Sequence, residues 1–400
     1  MSTTNRFIGS TMLVAGTSIG AGMLALPVST GPYGFLPSAL LFVICWFFMM
    51  LTGLLILEVN LWLKPGANIL SMASQTLGLG GRIIGWITYL LLFYSLLAAY
   101  AAGMGDLIRQ ALQNSFGWHM SNSAASLIFV AIVGIAIYCG AKTVDYVNRL
   151  FFTCKILTFL GIIIFLFPHV QLPQLSYVNP NKIWLTLTIV VTSFGYHNIV
   201  PSIRVYLNDD ARKLRLAIII GSTIPLFVYL LWQIAIVGVV PVSGKNGLLS
   251  ILSTGQPATG LATSLSQLLA TPWIATLFNL FTIFAITTSF TCVAFSLFDF
   301  LSDSFSIKRD FRGRILTLLL TFIPPLVFVF FYPGGFILAL SYAGIFVAIL
   351  LGILPALMTW SGRYTQKIAN GYRSNIGKFG LILIILFSLI IIFSELLGKL

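Results

Sequence analysis

Apolar stretches long enough to cross a lipid bilayer recur along almost the whole chain of 400 residues. A membrane-spanning helix needs roughly 20 mostly apolar residues. The sequence offers eleven such stretches, at residues 7–29, 34–62, 83–112, 123–141, 149–168, 183–206, 214–239, 272–303, 313–331, 334–361 and 376–397. Because only 8% of the residues are charged and 58% are hydrophobic, residues 1–400 are predicted to form one all-α integral membrane domain with eleven transmembrane helices.

The net charge of +13 is explained by topology. If the N-terminus is cytoplasmic, 18 of the 22 Lys and Arg residues, Arg309 among them, lie on the cytoplasmic side, and the other four are Arg109, Lys182, Lys245 and Lys399. Basic residues concentrate on the cytoplasmic side of membrane proteins. We therefore predict a cytoplasmic N-terminus and a C-terminus on the opposite side of the membrane, and the basic excess requires no nucleic-acid partner.

The four cysteines, Cys45, Cys139, Cys154 and Cys292, lie within or at the ends of the spans. No two of them have the spacing of a metal-ligand pair, and their positions do not suggest a disulfide framework. We expect neither a metal site nor a cofactor.

Residues 16–22 of the first span read GTSIGAG, and three interpretations are possible. The G-x-S-x-G pattern surrounds a nucleophilic serine in many hydrolases, which would make Ser18 the nucleophile and His197 a possible base. That pattern requires a strand before the serine, whereas apolar membrane helix flanks Ser18 on both sides. The glycines could instead allow close helix packing, or they could end the helix and admit a ligand.

The sixth span is also interrupted, because its apolar character stops at TSFGYHN (192–198) and Pro201 follows. A polar backbone break inside a membrane is stable only where it lines a protein-enclosed or watery cavity. The two breaks lie five spans apart, in oppositely directed spans. Such a pair indicates an inverted-repeat secondary transporter, with repeats at 7–168 and 183–361 and an additional helix at 376–397. The alternative of a channel would need rings of polar groups from repeated subunits, which a single asymmetric chain does not offer by itself.

The first break has the polarity that a zwitterion requires. Free N–H groups at the start of the outer half-helix favour a carboxylate, and free carbonyls at the end of the inner half-helix favour an ammonium group. An unwound stretch of glycines therefore presents complementary ends to an amino acid. We place the substrate between the breaks of spans 1 and 6.

Five segments carry a resemblance to a known family: GTSIGAGMLALPV, TSFGYHNIVPSI, LFYSLLAAYAAG, RKLRLAIIIGSTIPLFVYLLWQ and FYPGGFILALSYAG. With these, the chain resembles the hydroxy and aromatic amino acid permease family over essentially its whole length. The resemblance implies the LeuT-like 5+5 inverted repeat of the amino acid, polyamine and organocation superfamily, plus one helix, in the bacterial inner membrane. It also implies import of tyrosine with protons, with tryptophan and then phenylalanine as alternative substrates.

The resemblance assigns substrate-binding roles to matching positions. The break in span 1 would hold the carboxylate, and the polar run in span 6 would shape the side-chain pocket, faced by span 3. These residues are Gly16, Thr17, Ser18, Ile19, Gly20, Ala21, Gly22, Tyr94, Ala98, Phe194, Gly195, Tyr196 and His197. Aromatic residues suit an aromatic ligand, although most aromatic residues of such a chain face lipid or pack against other helices.

The resemblance also suggests how protons are coupled. Lys155 in span 5, with Thr288 and Ser289 in span 8, would replace a sodium site of related transporters, because an ammonium group can substitute for the metal. The alternative is that Lys155 extends to the cytoplasmic interface. His197 is a second candidate because histidine titrates near neutral pH; it would otherwise be a neutral side chain bonded to its own broken helix. The expected partners are an aromatic amino acid, protons and the lipid bilayer, without an obligate protein partner.

Two loops and several charged residues complete the prediction. Residues 63–82 contain an amphipathic stretch expected to lie along the membrane surface. Residues 240–271 fit a pair of short helices, which would form a lid over the outer mouth or a surface loop without a gating role. Glu58 and Asp299 are expected to pair with Arg or Lys residues, and Asp106 with Arg109 forms either a gate or a helix-end pair.

Overall fold

The computed structural model of the chain describes residues 3–308 and 310–398, so Arg309 and Lys399 of the charge pattern lie outside the described residues. Within these two ranges the regular elements are all helical. The α-helices are α1 Thr3–Ser18, α2 Gly22–Thr30, α3 Phe35–Trp62, α4 Ile69–Phe116, α5 Asn122–Cys139, α6 Ala141–Leu166, α7 Leu172–Leu175, α8 Leu187–Ser193, α9 Val200–Tyr206, α10 Ala211–Val237, α11 Leu248–Thr254, α12 Pro257–Leu268, α13 Pro272–Ser304, α14 Phe311–Phe331, α15 Phe336–Val347, α16 Leu354–Trp360 and α17 Lys378–Leu397.

Ten helices in the described part of the chain are long and apolar enough to cross a membrane. The pair α1 and α2, which is bent by 53°, makes an eleventh span when it is counted as one. A π-helical stretch, Ala348–Ile353, joins α15 to α16, so that Phe336–Thr365 is a single span. The all-helical membrane class is therefore confirmed, and the described part of the chain has ten candidate spans, or eleven with the bent pair.

The third span is longer than predicted. Helix α4 begins at Ile69 instead of near residue 83, so most of the amphipathic stretch at 63–82 is continuous with the span. Gly78 interrupts the helical dihedrals with a φ of 70° and a ψ of −154°. Glycine adopts positive φ without the steric cost that other residues have, and Gly78 therefore allows the helix to kink where the apolar span begins.

Polar residues in short loops set where several spans begin. The side chains of Asn68, Ser121, Asp210 and Asp310 accept hydrogen bonds from the first-turn N–H groups of α4, α5, α10 and α14, as N-cap residues do. The Lys213 side chain, together with the Lys213 backbone N–H, holds the pKa of Asp210 below its usual value. These caps satisfy N–H groups that the helices leave unpaired.

The two parts of the first span pack inside the bundle. Helix α1 packs along α10, and α2 contacts α8, α10, α11 and α12. Next to them, Trp232 of α10 packs on Phe278 and Phe159, with ring centroids 5.7 Å apart in each pair. Because lipid is as apolar as these side chains, close packing rather than burial from water stabilises such contacts. The packed rings fix α10 beside the break in the first span.

Candidate functional site

The first break is shorter than the sequence suggests. Helix α1 continues through Gly16 and Thr17 to Ser18, and α2 begins at Gly22. The Thr17 side chain is exposed, and its hydroxyl donates to the Leu13 carbonyl at 2.7 Å. Only residues 19–21 form the non-helical connection between the two helices.

Three neighbouring helices each provide a polar group to this connection or to the end of α1 before it. Lys155 Nζ of α6 donates to the Ile19 carbonyl at 2.9 Å. The Ala21 N–H donates to Ser289 Oγ of α13 at 3.1 Å. The Tyr229 hydroxyl of α10 lies 2.6 Å from the Ser18 carbonyl. Side chains thus satisfy backbone groups that the interruption leaves without intrahelical partners.

Two glycines allow the surrounding serines to come this close. A Cβ atom on Gly20 would lie 2.6 Å from Ser289 Oγ, and one on Gly22 would lie 2.8 Å from Ser193 Oγ. Real Cβ atoms do not make such short contacts. A Cβ atom on Gly16 would lie 3.4 Å from the Phe152 ring, which is ordinary contact. Gly20 and Gly22 therefore have a steric role that Gly16 does not share.

The second break lies between α8 and α9. Helix α8 ends at Ser193, a short 3₁₀ turn covers His197–Ile199, and α9 begins at Val200 with Pro201 in its first turn. Proline is favoured there because its missing N–H would be unpaired in any case. The Ser193 carbonyl at the end of α8 lies 2.8 Å from the Tyr229 hydroxyl. One side chain of α10 therefore contacts the ends of both interrupted helices.

The aromatic residues of the second break point in different directions. Phe194 is buried against Tyr229, with ring centroids 5.1 Å apart. The Tyr196 hydroxyl instead donates to the Met49 carbonyl of α3 at 3.2 Å. His197 Nε2 lies 2.8 Å from Thr52 Oγ1, also on α3. The structure thus directs Tyr196 and His197 toward α3, and Phe194 toward α10.

Other predicted residues have partners away from the two breaks. The Tyr94 hydroxyl donates to the Leu320 carbonyl of α14 at 2.7 Å, and Thr288 donates to the Phe284 carbonyl of its own helix at 2.8 Å. Ala98 is buried in α4, and Gly195 lies in the turn after α8. Of the two predicted hydroxyls on α13, only Ser289 is hydrogen-bonded to a break.

Two buried polar atoms at the breaks have no hydrogen-bond partner within residues 3–308 and 310–398. They are Ser18 Oγ and His197 Nδ1. Leaving a buried polar group unpaired costs about 1–3 kcal/mol, so both atoms are candidates for contact with a bound ligand. Ser18 and His197 are not hydrogen-bonded to each other as a catalytic dyad would be, since Ser18 Oγ and His197 Nδ1 have no partner among the described residues and His197 Nε2 contacts Thr52.

The sequence pattern did not indicate Tyr229 at the site, nor the packing contacts that Trp232 and Gln233 make between α10 and α2. Trp232 Nε1 donates to the Met23 carbonyl, and Gln233 Nε2 donates to Thr30 Oγ1, each at 3.0 Å. The signal was present in the spacing, because residues three and four apart lie on one helix face. Polar atoms on a single face of an apolar span require partners from a neighbouring helix.

Two ionic groups lie away from the breaks. Glu58 of α3 is paired with Arg363, with oxygen-to-nitrogen distances of 2.7 and 2.5 Å. Asp106 of α4 pairs with Arg109 at 2.9 Å and accepts a hydrogen bond from Thr259 of α12 at 2.5 Å. The loop at 240–271 contains the predicted short helices, α11 and α12, and the Asp106–Thr259 contact joins them to the third span.

The polar groups at the two breaks are backbone amides and carbonyls, hydroxyls and one ammonium group. Within the described ranges, no group of three His, Cys, Asp or Glu side chains is arranged to hold a metal ion. A few convergent polar groups inside an apolar bundle are typical of a site that orients a small molecule. The chemistry is that of binding, because these groups can orient a small polar molecule through hydrogen bonds.

Comparison with known proteins agrees with this chemistry. Residues 3–395 match the model of the tryptophan/tyrosine permease family. The chain is similar to tyrosine-specific transport system 1 of Haemophilus influenzae, with 36% identity over 364 residues, which cover 90% of this chain and 89% of the relative. Tyrosine-specific transport system 2 of the same organism is 34% identical over 391 residues, covering 97% and 95%.

A third similar protein has a different printed substrate. The tryptophan-specific transport protein of Pseudomonas aeruginosa is 32% identical over 363 residues, which cover 89% of this chain and 86% of the relative. All three relatives are transport proteins, and the match to the family extends over nearly the whole chain. The chain therefore belongs to the tryptophan/tyrosine permease family and is a multi-pass membrane transport protein, not an enzyme.

Proposed function

We propose that the protein imports L-tyrosine with protons across the bacterial inner membrane by alternating access, with its N-terminus in the cytoplasm. The first support is its similarity to two tyrosine-specific transport systems. The proposed architecture is a LeuT-like 5+5 repeat, residues 7–168 and 183–361, followed by helix 376–397. Tryptophan is the second candidate substrate, because a tryptophan-specific relative is nearly as similar.

The substrate would bind between the two interrupted spans. Its carboxylate would face the N-terminal end of α2, where backbone N–H groups and the helix dipole favour an anion. Its ammonium would face the carbonyl ends of α1 and α8, represented by the Ser18 and Ser193 carbonyls. The unpartnered Ser18 hydroxyl lies at the end of α1 and can accept or donate one further hydrogen bond.

The observation that carries proton coupling is the contact between Lys155 and the first break. The Lys155 side chain is buried, its Nζ donates to the Ile19 carbonyl at 2.9 Å, and the ammonium lies 4.6 Å from the centroid of the Phe152 ring. The side chain is thus directed at the first break and is shielded from solvent. A buried ammonium is costly unless it is paired, and here the Ile19 carbonyl is its partner. Loss of the proton would remove the charge from this hydrogen bond and would therefore weaken the attachment of α6 to the break. Proton binding and the shape of the substrate site are thereby linked.

The test is uptake of labelled tyrosine into proteoliposomes under an imposed pH gradient, with a sodium-free arm and with unlabelled Tyr, Trp, Phe, Leu and Ser as competitors. We expect sodium-independent uptake that an inward proton gradient accelerates. Lys155→Met should reduce gradient-driven accumulation about tenfold or more and retain exchange of labelled for unlabelled substrate. Lys142→Met is the matched control, since Lys142 is an exposed lysine on the same helix.

Three results would each contradict a part of the proposal. Uptake by the wild-type protein that needs sodium and ignores the pH gradient would exclude proton symport. Unchanged gradient-driven accumulation by Lys155→Met would exclude Lys155 as the coupling residue. If unlabelled tryptophan competes at lower concentration than tyrosine does, tryptophan replaces tyrosine as the proposed substrate.

A further inference from the structure

The Tyr229 hydroxyl lies where the C-terminal ends of two interrupted helices meet. It is 2.6 Å from the Ser18 carbonyl at the end of α1 and 2.8 Å from the Ser193 carbonyl at the end of α8. The side chain is completely buried, and the Phe194 ring packs edge-on against it. Tyr229 itself belongs to a third helix, α10, so that one phenol joins three helices.

The Tyr229 hydroxyl has fewer protons than carbonyl neighbours. A tyrosine hydroxyl has one proton, so it donates to one of the two carbonyls at a time. Helix C-termini carry partial negative charge, and without the donor the Ser18 and Ser193 carbonyls would repel each other. The hydroxyl therefore holds the two helix ends close together and leaves the carbonyl that does not receive its proton able to accept another hydrogen bond.

We propose that Tyr229 is a positioning residue of the transport site, whose hydroxyl fixes the separation of the two helix ends between which the substrate binds. The residue acts through the Ser18 and Ser193 carbonyls. Removing the hydroxyl lets the ends separate, which lowers substrate affinity while the packing of the ring on Phe194 is retained. This inference rests on the proposed function in one respect, the location of the substrate between the two breaks.

The same helix provides a matched control. Trp232, almost one turn further along α10, donates its Nε1 proton to the Met23 carbonyl of α2 at 3.0 Å. It is as buried as Tyr229, and it also holds the first span. However, its hydrogen bond connects α10 to α2 alone and does not join the two breaks. If a substitution merely detached α10 from the first span, Tyr229→Phe and Trp232→Phe would both raise KM. If positioning of the two helix ends is what matters, only Tyr229→Phe raises KM.

The experiment measures initial rates of amino acid uptake in proteoliposomes with a known amount of inserted protein. We expect Tyr229→Phe to raise KM about tenfold or more, with a maximal rate per transporter within about threefold of wild type. Trp232→Phe should leave KM within about threefold of wild type. A Tyr229→Phe variant with wild-type KM, whether or not its maximal rate falls, would overturn the proposal, as would an equal rise of KM in both variants.

Rescue provides a readout that a purely structural role would not give. 4-Aminophenylalanine introduced at position 229 keeps the ring and provides two N–H donors, so it can serve both carbonyls. It should return KM to within about threefold of wild type. If Tyr229→Phe does not accumulate in the membrane, this variant decides alone: wild-type KM supports the donor role, and a KM raised about tenfold in folded protein overturns it.

The outcome is separable from that of the proposed function. Wild-type uptake is first measured for tyrosine, tryptophan and phenylalanine, with and without sodium. If the wild-type protein transports tryptophan, or needs sodium, the proposed function fails in that respect. The KM comparison is then made with the amino acid that the wild-type protein does transport, and it decides the role of Tyr229 by the same criteria.

Discussion

Gly22 and Gly16 belong to the same glycine motif but have different surroundings. A Cβ atom on Gly22 would lie 2.8 Å from Ser193 Oγ and 3.4 Å from Ser193 Cα, whereas a Cβ atom on Gly16 makes only ordinary contact with Phe152. We expect Gly22→Val to abolish uptake, since it separates α2 from α8. Gly16→Ala should retain at least about half of the wild-type rate. Initial-rate uptake, normalised to the amount of protein in the membrane, measures both.

A compensating substitution tests the steric role of Gly20. Gly20→Ala brings a Cβ atom to 2.6 Å from Ser289 Oγ, but that atom would lie 3.7 Å from Ser289 Cβ. The double variant Gly20→Ala/Ser289→Ala should therefore recover part of the uptake that Gly20→Ala loses. Full uptake by Gly22→Val, or no difference between Gly16→Ala and Gly22→Val, would show that close approach at the break is not needed.

At the scale of single residues, sequence predicted where helices stop better than it predicted contacts. Glycines and polar residues within apolar spans indicated both interruptions, because such residues are unfavourable inside a continuous membrane helix. The directions of Tyr196 and His197, and the role of Tyr229, depend on which helices are neighbours. Neighbour relations are set by packing over the whole bundle, which a linear pattern does not contain.

At the scale of elements, a hydrogen bond attaches the short helix pair α11 and α12 to the third span. Thr259 of α12 donates to Asp106 at 2.5 Å, and the carboxylate also pairs with Arg109. A cavity of about 10 Å³ lies beside this contact, lined by Ala102, Asp106, Pro257 and Phe336 among others. Thr259→Val keeps the shape of the side chain and removes the donor, so we expect α12 to separate from α4 more often.

Thiol labelling measures that separation. Ala102→Cys, combined with Thr259→Val, should react with a membrane-impermeant thiol reagent about threefold faster or more than Ala102→Cys alone. Thr271→Val is the control, because the Thr271 hydroxyl bonds to the Leu269 carbonyl within the same loop. Thr259→Val without Ala102→Cys gives the background from the native cysteines. Equal labelling rates with and without Thr259→Val would show that the Thr259–Asp106 hydrogen bond does not hold α12 against α4.

The elements themselves were largely predictable. Each apolar stretch of the required length became helical, with interruptions in the first and sixth, because a backbone in lipid must satisfy its own hydrogen bonds. The main difference is α4, which begins at Ile69, since an amphipathic segment and the span that follows it can form one helix with a kink at Gly78. Hydropathy marks where lipid contact begins and does not mark where the helix begins.

At the scale of the whole molecule, a buried ion pair connects the second span to the C-terminal part of the chain. The side chains of Glu58 and Arg363 are 0% and 1% exposed. Arg363 also donates to the hydroxyl of Ser374, whose N–H donates to Glu58 at 2.8 Å. The cluster therefore fixes the segment between α16 and α17 against α3. Removing one partner of such a pair leaves an uncompensated buried charge, which costs about 3–5 kcal/mol.

Glu58→Gln should accordingly lower the thermal denaturation midpoint of the detergent-solubilised protein by several degrees, whereas Glu58→Leu/Arg363→Leu should recover part of the loss because neither charge remains. The control is Asp145→Asn, which breaks the Arg149–Asp145 pair, whose side chains are 79% and 59% exposed. An exposed pair contributes about 0–1 kcal/mol, so its midpoint should be close to that of wild type. If Glu58→Gln and Asp145→Asn have the same midpoint, the buried cluster does not hold the C-terminal segment in place.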